Sequence, residues 1–183
     1  MKNVEYYKQM HAKKMFKTWQ NNNTNYQDKI LYYINGAMQA TSAKTVLDFG
    51  CGGGEQYDIG MVHKKMGVKL DNLTLYDPGV DKYSALPDKM VDVTISFDVL
   101  EHIPIDELPE VFKYIFSHTK CFCYFTIFCG LAMKILPNGE NAHCTVLSQP
   151  DWKKLIAEYN VNNIPVLYTF RIPTNPAHNI LNL

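Results

Sequence analysis

The stretch Val46-Leu47-Asp48-Phe49-Gly50-Cys51-Gly52-Gly53-Gly54 leaves this chain few choices. An apolar run ends in an acid, glycines follow at alternate positions, and a helix-capable segment opens at Glu55. A buried strand that stops under a ligand reads this way. Backbone without side chains approaches the ligand closely, and the site sits at the strand's carboxyl end. The glycine spacing then selects among ligands. A dinucleotide fingerprint needs a glycine three positions after Gly52, where Glu55 stands, and no Gly-Lys-Ser/Thr supplies a P-loop. The pattern Asp48-x-Gly50-x-Gly52-x-Gly54 carries no phosphate-neutralising lysine and suits a cationic or zwitterionic nucleoside better than a pyrophosphate.

Periodicity fills in the rest. Residues 1–20 have roughly helical spacing, with Tyr6, Tyr7 and His11 placed to close over a ligand or simply to pack on the sheet edge. After an Asn-rich break, residues 26–39 read as an amphipathic helix whose inner face is Ile30, Tyr33, Ile34, Ala37 and Met38. Strands are expected at 45–49, 73–76, 91–97, 121–128 and 164–171. Helices are expected at 55–66, stopped by Gly67, at 106–117 with Leu108, Val111, Phe112 and Ile115 inward, and at 150–159. This alternation predicts an α/β fold with a doubly wound, mostly parallel sheet. Its carboxyl edge would gather the loops after Phe49, at Asp77 and after Phe97. The natural division is a helical lid or cap over 1–40 and a ligand-binding unit over 41–183, in one globular body.

Composition narrows the function class. The 183 residues carry 18 basic and 18 acidic side chains, a balance that argues against a large duplex nucleic-acid footprint. Five cysteines without a CxxC pair read as reduced, buried thiols, and their spacing suggests no metal site. Cys121 and Cys123, two apart on a strand, are expected on one face. The start lacks a basic-then-apolar signal pattern, and the apolar stretch 121–136 is shorter than the roughly 20 residues a spanning helix needs. A cytoplasmic protein without a membrane partner is expected.

Four stretches in order resemble the class I S-adenosylmethionine-dependent methyltransferases. They are Leu47 to Gly54, Leu75-Tyr76-Asp77-Pro78, Leu86-Pro87, and the run from Val91 through Asp98-Val99-Leu100-Glu101-His102-Ile103. Met10-His11, Gly54-Glu55-Gln56-Tyr57 and the segment from Leu136 to His143 look like a subgroup of small bacterial and phage methyltransferases without a settled substrate. The resemblance implies a Rossmann-like sheet and S-adenosyl-L-methionine as cofactor, with S-adenosyl-L-homocysteine as product. Carried onto this chain, Asp48 and Gly50 to Gly54, with Cys51 and Gln56, would hold the methionine portion. Asp77 would accept bonds from the ribose hydroxyls, Pro78 and Leu86 would flank adenine, and Asp98, Val99 and His102 would sit beside the sulfonium. Read without the resemblance, Asp48 could instead cap a helix, Asp77 could be a turn residue, and His102 a buried structural histidine.

The chain departs from the pattern after strand two. Only residues 78–90 separate it from the next strand, where the family usually fits a helix and a further strand. A missing or vestigial edge is therefore expected. The acid that would bind the adenine amine has no match, Ser84 or Ala85 standing in its place. For the acceptor, methyl transfer to a hydroxyl needs a nearby base. His143, in the loop after the strand expected at 121–128, is the first candidate, His102 the second and His11 the third. The amino-methylating DNA signature is replaced by Ser96-Phe97-Asp98-Val99, no Pro-Cys nucleophile occurs, and 183 residues leave no room for a target-recognition domain. A small-molecule acceptor with a reactive oxygen or nitrogen fits best. A nucleic-acid or protein acceptor, a homo-oligomer, a binding module completed by a partner, and an enzyme degrading S-adenosylmethionine without an acceptor remain open.

Overall fold

The computed structural model describes residues 3–12, 24–58 and 61–173. Strands β1 (Val46–Phe49), β2 (Leu73–Tyr76), β3 (Val91–Phe97), β4 (Thr119–Phe128) and β5 (Val166–Arg171) form one sheet in the order β2-β1-β3-β4-β5. Every adjacent pair is parallel, so all five strands point their carboxyl ends the same way. Helices are α1 (Val4–Ala12), α2 (Thr24–Thr41), α3 (Glu55–Asp58), α4 (Val62–Lys65), α5 (Leu108–His118) and α6 (Gln149–Tyr159). No described helix is long and apolar enough to cross a membrane.

Two cores cover the two faces of the sheet, which makes the fold doubly wound. On one face α5 and α6 bury Phe112, Ile115, Trp152 and Ile156 against Leu47, Phe49, Phe125 and Ile127. On the other, α2 and α4 bury Ile34, Met38, Val62 and Met66 against Val46, Val93, Ile95 and Tyr124. The expected inner face of α5 is buried as written. That of α2 is rotated: Leu31 is buried and Tyr33 is exposed. At about 100° per residue, Ile30, Leu31, Ile34 and Met38 span one arc, and Tyr33 falls outside it.

Two local corrections have backbone causes. Cys121 packs with the α2 side and Cys123 with the α5 side, so they do not share a face. The β3–β4 register slips by one residue between Val91 and Val93, and such a bulge resets the alternation of every side chain beyond it. The single helix expected over 55–66 is two one-turn pieces. Met61 stands left-handed at φ 51°, a conformation that a right-handed helix cannot pass through. Residues 59–60 of that segment, the 13–20 part of the first expected helix and the tail beyond 173 lie outside the described residues. Among the described residues no strand intervenes between β2 and β3, only a 3-10 turn at Asp81–Tyr83. The reduced edge is present, and β2 borders the sheet there.

Candidate functional site

A cavity of about 1440 Å³ opens along the carboxyl edge of the sheet. The loops after β1, β2 and β3 meet in it, joined by α1 and by the segment after β4. Of the residues the sequence assigns to a cofactor, Asp48, Gly50, Cys51, Gly52, Gln56, Asp77, Pro78, Asp98 and Val99 line it, as do His102 and His143. Gly54 and Leu86 do not line it, and Leu86 is half exposed.

The glycine loop is built against its neighbours. The N–H groups of Gly50 and Cys51 both donate to the Tyr76 carbonyl, at 2.7 and 3.1 Å, which locks the loop onto the end of β2. Gly50 has φ +90°, and a Cβ there would sit 2.3 Å from a Val99 methyl carbon. Only glycine lets the ends of β1 and β3 come this close. Gly54 answers to packing as well, because a Cβ would meet the Tyr83 hydroxyl at 3.0 Å.

The aspartates at the carboxyl ends of β1, β2 and β3 all line the cavity. Asp48 is buried on the α3 side and accepts the Tyr57 hydroxyl at 2.6 Å and the Gln56 amide at 3.3 Å. Burial outweighs both bonds and pushes its carboxyl up to about 7. Asp77 ties two turns together: one oxygen accepts the Gly52 N–H and the other the Gly79 N–H, each at 2.8 Å. His11 of α1 approaches the same carboxylate at 3.9 Å. Asp98 stands left-handed at φ 54°, a conformation short polar side chains tolerate. It is held there by Thr126, whose hydroxyl donates to its carboxylate and accepts its N–H.

The far end of the cavity is histidine-rich. His102 and His143 pack edge to face with ring centres 4.7 Å apart. The His102 Nδ1–H donates to the Ala142 carbonyl at 2.7 Å, and burial with the neighbouring His143 drives its pKa down to about 3. The His143 Nδ1–H donates to the Gly130 carbonyl at 2.6 Å, and burial lowers its pKa too. A carbonyl at Nδ1 fixes the tautomer, so His143 carries its lone pair on Nε2. The ring is held neutral and basic at one atom.

Four further residues meet the cavity, of which the sequence singles out only Tyr7, as a lid candidate. Tyr7 of α1 spreads its hydroxyl proton between the carbonyls of His102 and Ala142, at 3.1 and 2.9 Å. Arg171, the last residue of β5, pairs with Asp98 and lies over the Phe128 ring, 5.4 Å from its centre. Glu101 is fully buried, accepts the Phe128 N–H on one oxygen, and has no partner among the described residues for the other. Burial and the nearby Asp98 hold its carboxyl well above the usual carboxylate range. Asp81, paired with Lys8 of α1, is the acid brought to the rim after Pro78. Tyr7 was named only as one of three lid candidates. The rule that picked out Asp77 and Asp98, the carboxyl end of a parallel strand, also picks out Arg171.

A family model described as a methyltransferase domain matches residues 18–166. Among curated proteins no relative matches. The match covers the glycine loop, Asp77, Asp98, His102 and His143, and leaves α1 with its cavity-lining His11 and nearly all of β5 outside it. With more than half its length matched and its parallel sheet wound on both faces, this chain belongs to the methyltransferase-domain family, on the Rossmann-like fold of class I methyltransferases.

Proposed function

We propose that the protein transfers a methyl group from S-adenosylmethionine to an oxygen or nitrogen of a small-molecule acceptor. The observation that carries this reading is the meeting of Asp48, Asp77 and Asp98 in one cavity with a neutral His143. The donor set fits the cofactor. Carboxylates and backbone carbonyls suit its ammonium and sulfonium, and a carboxylate at a strand end suits vicinal hydroxyls. Asp77 keeps lone pairs on both oxygens beyond the amides it already accepts. Asp81 supplies an acid near where adenine would lie, in place of the absent match at Ser84 or Ala85. The volume exceeds the roughly 300–1,000 Å³ of an ordinary small-molecule pocket, leaving space for an acceptor beside the cofactor.

When bound, S-adenosylmethionine supplies a methyl group made electrophilic by its sulfonium. The chain's own residues do the rest. The Gly50–Val99 contact sets the separation of the two loops that would hold the sulfonium end. His143 would accept the acceptor's proton at Nε2 as the methyl passes to the acceptor from sulfur, which would keep the electron pair of the broken bond and leave as the thioether of S-adenosylhomocysteine. Gly130 holds the ring in place through Nδ1, so the imidazolium that results keeps its hydrogen bond. His102, pinned by Ala142 and pushed to about 3, stays neutral and packs against His143. A cytosolic setting and a monomer or homo-oligomer are both compatible with this reading.

The test is turnover with methyl-labelled S-adenosylmethionine and fractionated small-molecule extract. Label should pass to an acceptor, and His143→Gln should lower kcat by about 10²–10⁴-fold while cofactor affinity holds. Label released equally fast without any acceptor would overturn the transfer reading, and an unchanged kcat in His143→Gln would overturn the base.

A further inference from the structure

Arg171 is placed with more care than a surface arginine requires. It ends β5, beside the end of β4, and its Nη1 donates to Asp98 while its guanidinium lies over Phe128. Asp98 is in turn fixed by Thr126 on β4. One edge of the guanidinium fork is therefore immobilised, and its other donors have no hydrogen-bond partner among the described residues. The side chain is 44% exposed and lines the cavity, on the side where His143 also packs against Phe128. A pre-oriented planar fork of this kind matches a carboxylate or phosphate bidentately.

The surrounding charges agree. Lys134 lines the same cavity, and its charge reaches both His102 and His11. Asp98, the acid nearest Arg171, already has its partner. Asp48 and Asp77 belong to the loops after β1 and β2. Arg171 and Lys134 thus lie beyond Asp48 and Asp77, and Glu101, the other acid near Arg171, is buried with its carboxyl held well above the usual carboxylate range.

We propose that the Arg171 end of the cavity binds an acceptor bearing an oxyanion, with its reactive hydroxyl or amine turned toward His143. This rests on the methyl-transfer reading, and it names the substrate class for that site. Arg171 lies outside the residues that the family model matches.

The test uses the full chain saturated with S-adenosylhomocysteine, which cannot react. Hydroxybenzoates and aryl phosphates are each titrated beside a neutral amide or alcohol of the same shape, by ligand-observed NMR. At least one anion should bind about tenfold more tightly than its neutral partner, the size expected of one charge-assisted bidentate contact. The better of the carboxylate and phosphate series identifies the anion. Arg171→Leu should reduce the preference to about twofold or less, and Arg171→Lys should keep part of it, with thermal unfolding showing that both variants fold. S-adenosylhomocysteine binding with no anion preference anywhere in the panel, or a preference that survives in folded Arg171→Leu, overturns this inference alone. Failure of S-adenosylhomocysteine to bind overturns the cofactor reading and this inference with it.

Discussion

Asp48 shows how a single residue can set opposing demands. Its carboxyl rises from 3.8 to about 7 because burial costs the charged form more than Tyr57 and Gln56 return. The folded chain thus keeps a proton that the unfolded chain loses near pH 4, and this group's stability contribution falls as pH rises from about 4 to about 7. His102, lowered from 6.5 to about 3, has the opposite slope: its contribution is full above 6.5 and is lost as pH falls toward 3. Between about pH 4 and 6.5 the two oppose each other. Asp48→Asn removes one arm. Urea unfolding should show the variant gaining on the wild type by about 1.4 kcal/mol per pH unit across that interval. Parallel pH profiles for the two proteins would mean that Asp48 is already ionised. The glycines offer a second contrast. Gly50→Ala forces a Cβ into Val99 at positive φ and should destabilise by about 2 kcal/mol or more, whereas Gly36→Ala, in α2 with open space around it, should stabilise by about 0.5–1 kcal/mol. Thermal melts of the two variants check both signs.

At the scale of elements, the sequence was most legible where one physical signal dominated. The apolar runs of β1, β3 and β4 and the amphipathic spacing of α5 place these elements nearly to the residue. The glycine loop and the short link after Asp77 led directly to the cavity and the bare sheet edge. Legibility failed where the answer lay in backbone geometry or in contacts between distant segments. Nothing in the pattern around Cys121 announces a bulge, and nothing at Met61 announces a left-handed residue. The role of α1 is a case of distant contact. Its Met10 is buried with Leu136 and Ala142 in a small core of its own, separate from both faces of the sheet. Residues about 130 positions apart thus cover the cavity together. Met10→Ala should speed hydrogen exchange in α1 and in residues 134–142 together, leaving β3 unchanged. Faster exchange in α1 alone would show that the two segments are not one unit.

Over the whole molecule, a chain with no net charge separates charge inside one cavity. The parallel sheet makes this possible by turning every strand's carboxyl end to the same edge, so that Asp48, Asp77, Asp98 and Arg171 converge from four strands or strand ends. The family match spans the loops after β1, β2 and β3, and α1 and nearly all of β5 lie outside it. Binding of S-adenosylmethionine at this edge is what the proposed function requires, and calorimetric titration of the intact chain measures it. We expect one site per chain, a dissociation constant on the order of micromolar, and at least about tenfold weaker binding in Asp77→Ala. A folded chain that takes up no S-adenosylmethionine at millimolar concentration, or an Asp77→Ala chain that binds it as the wild type does, would rule out this cofactor site.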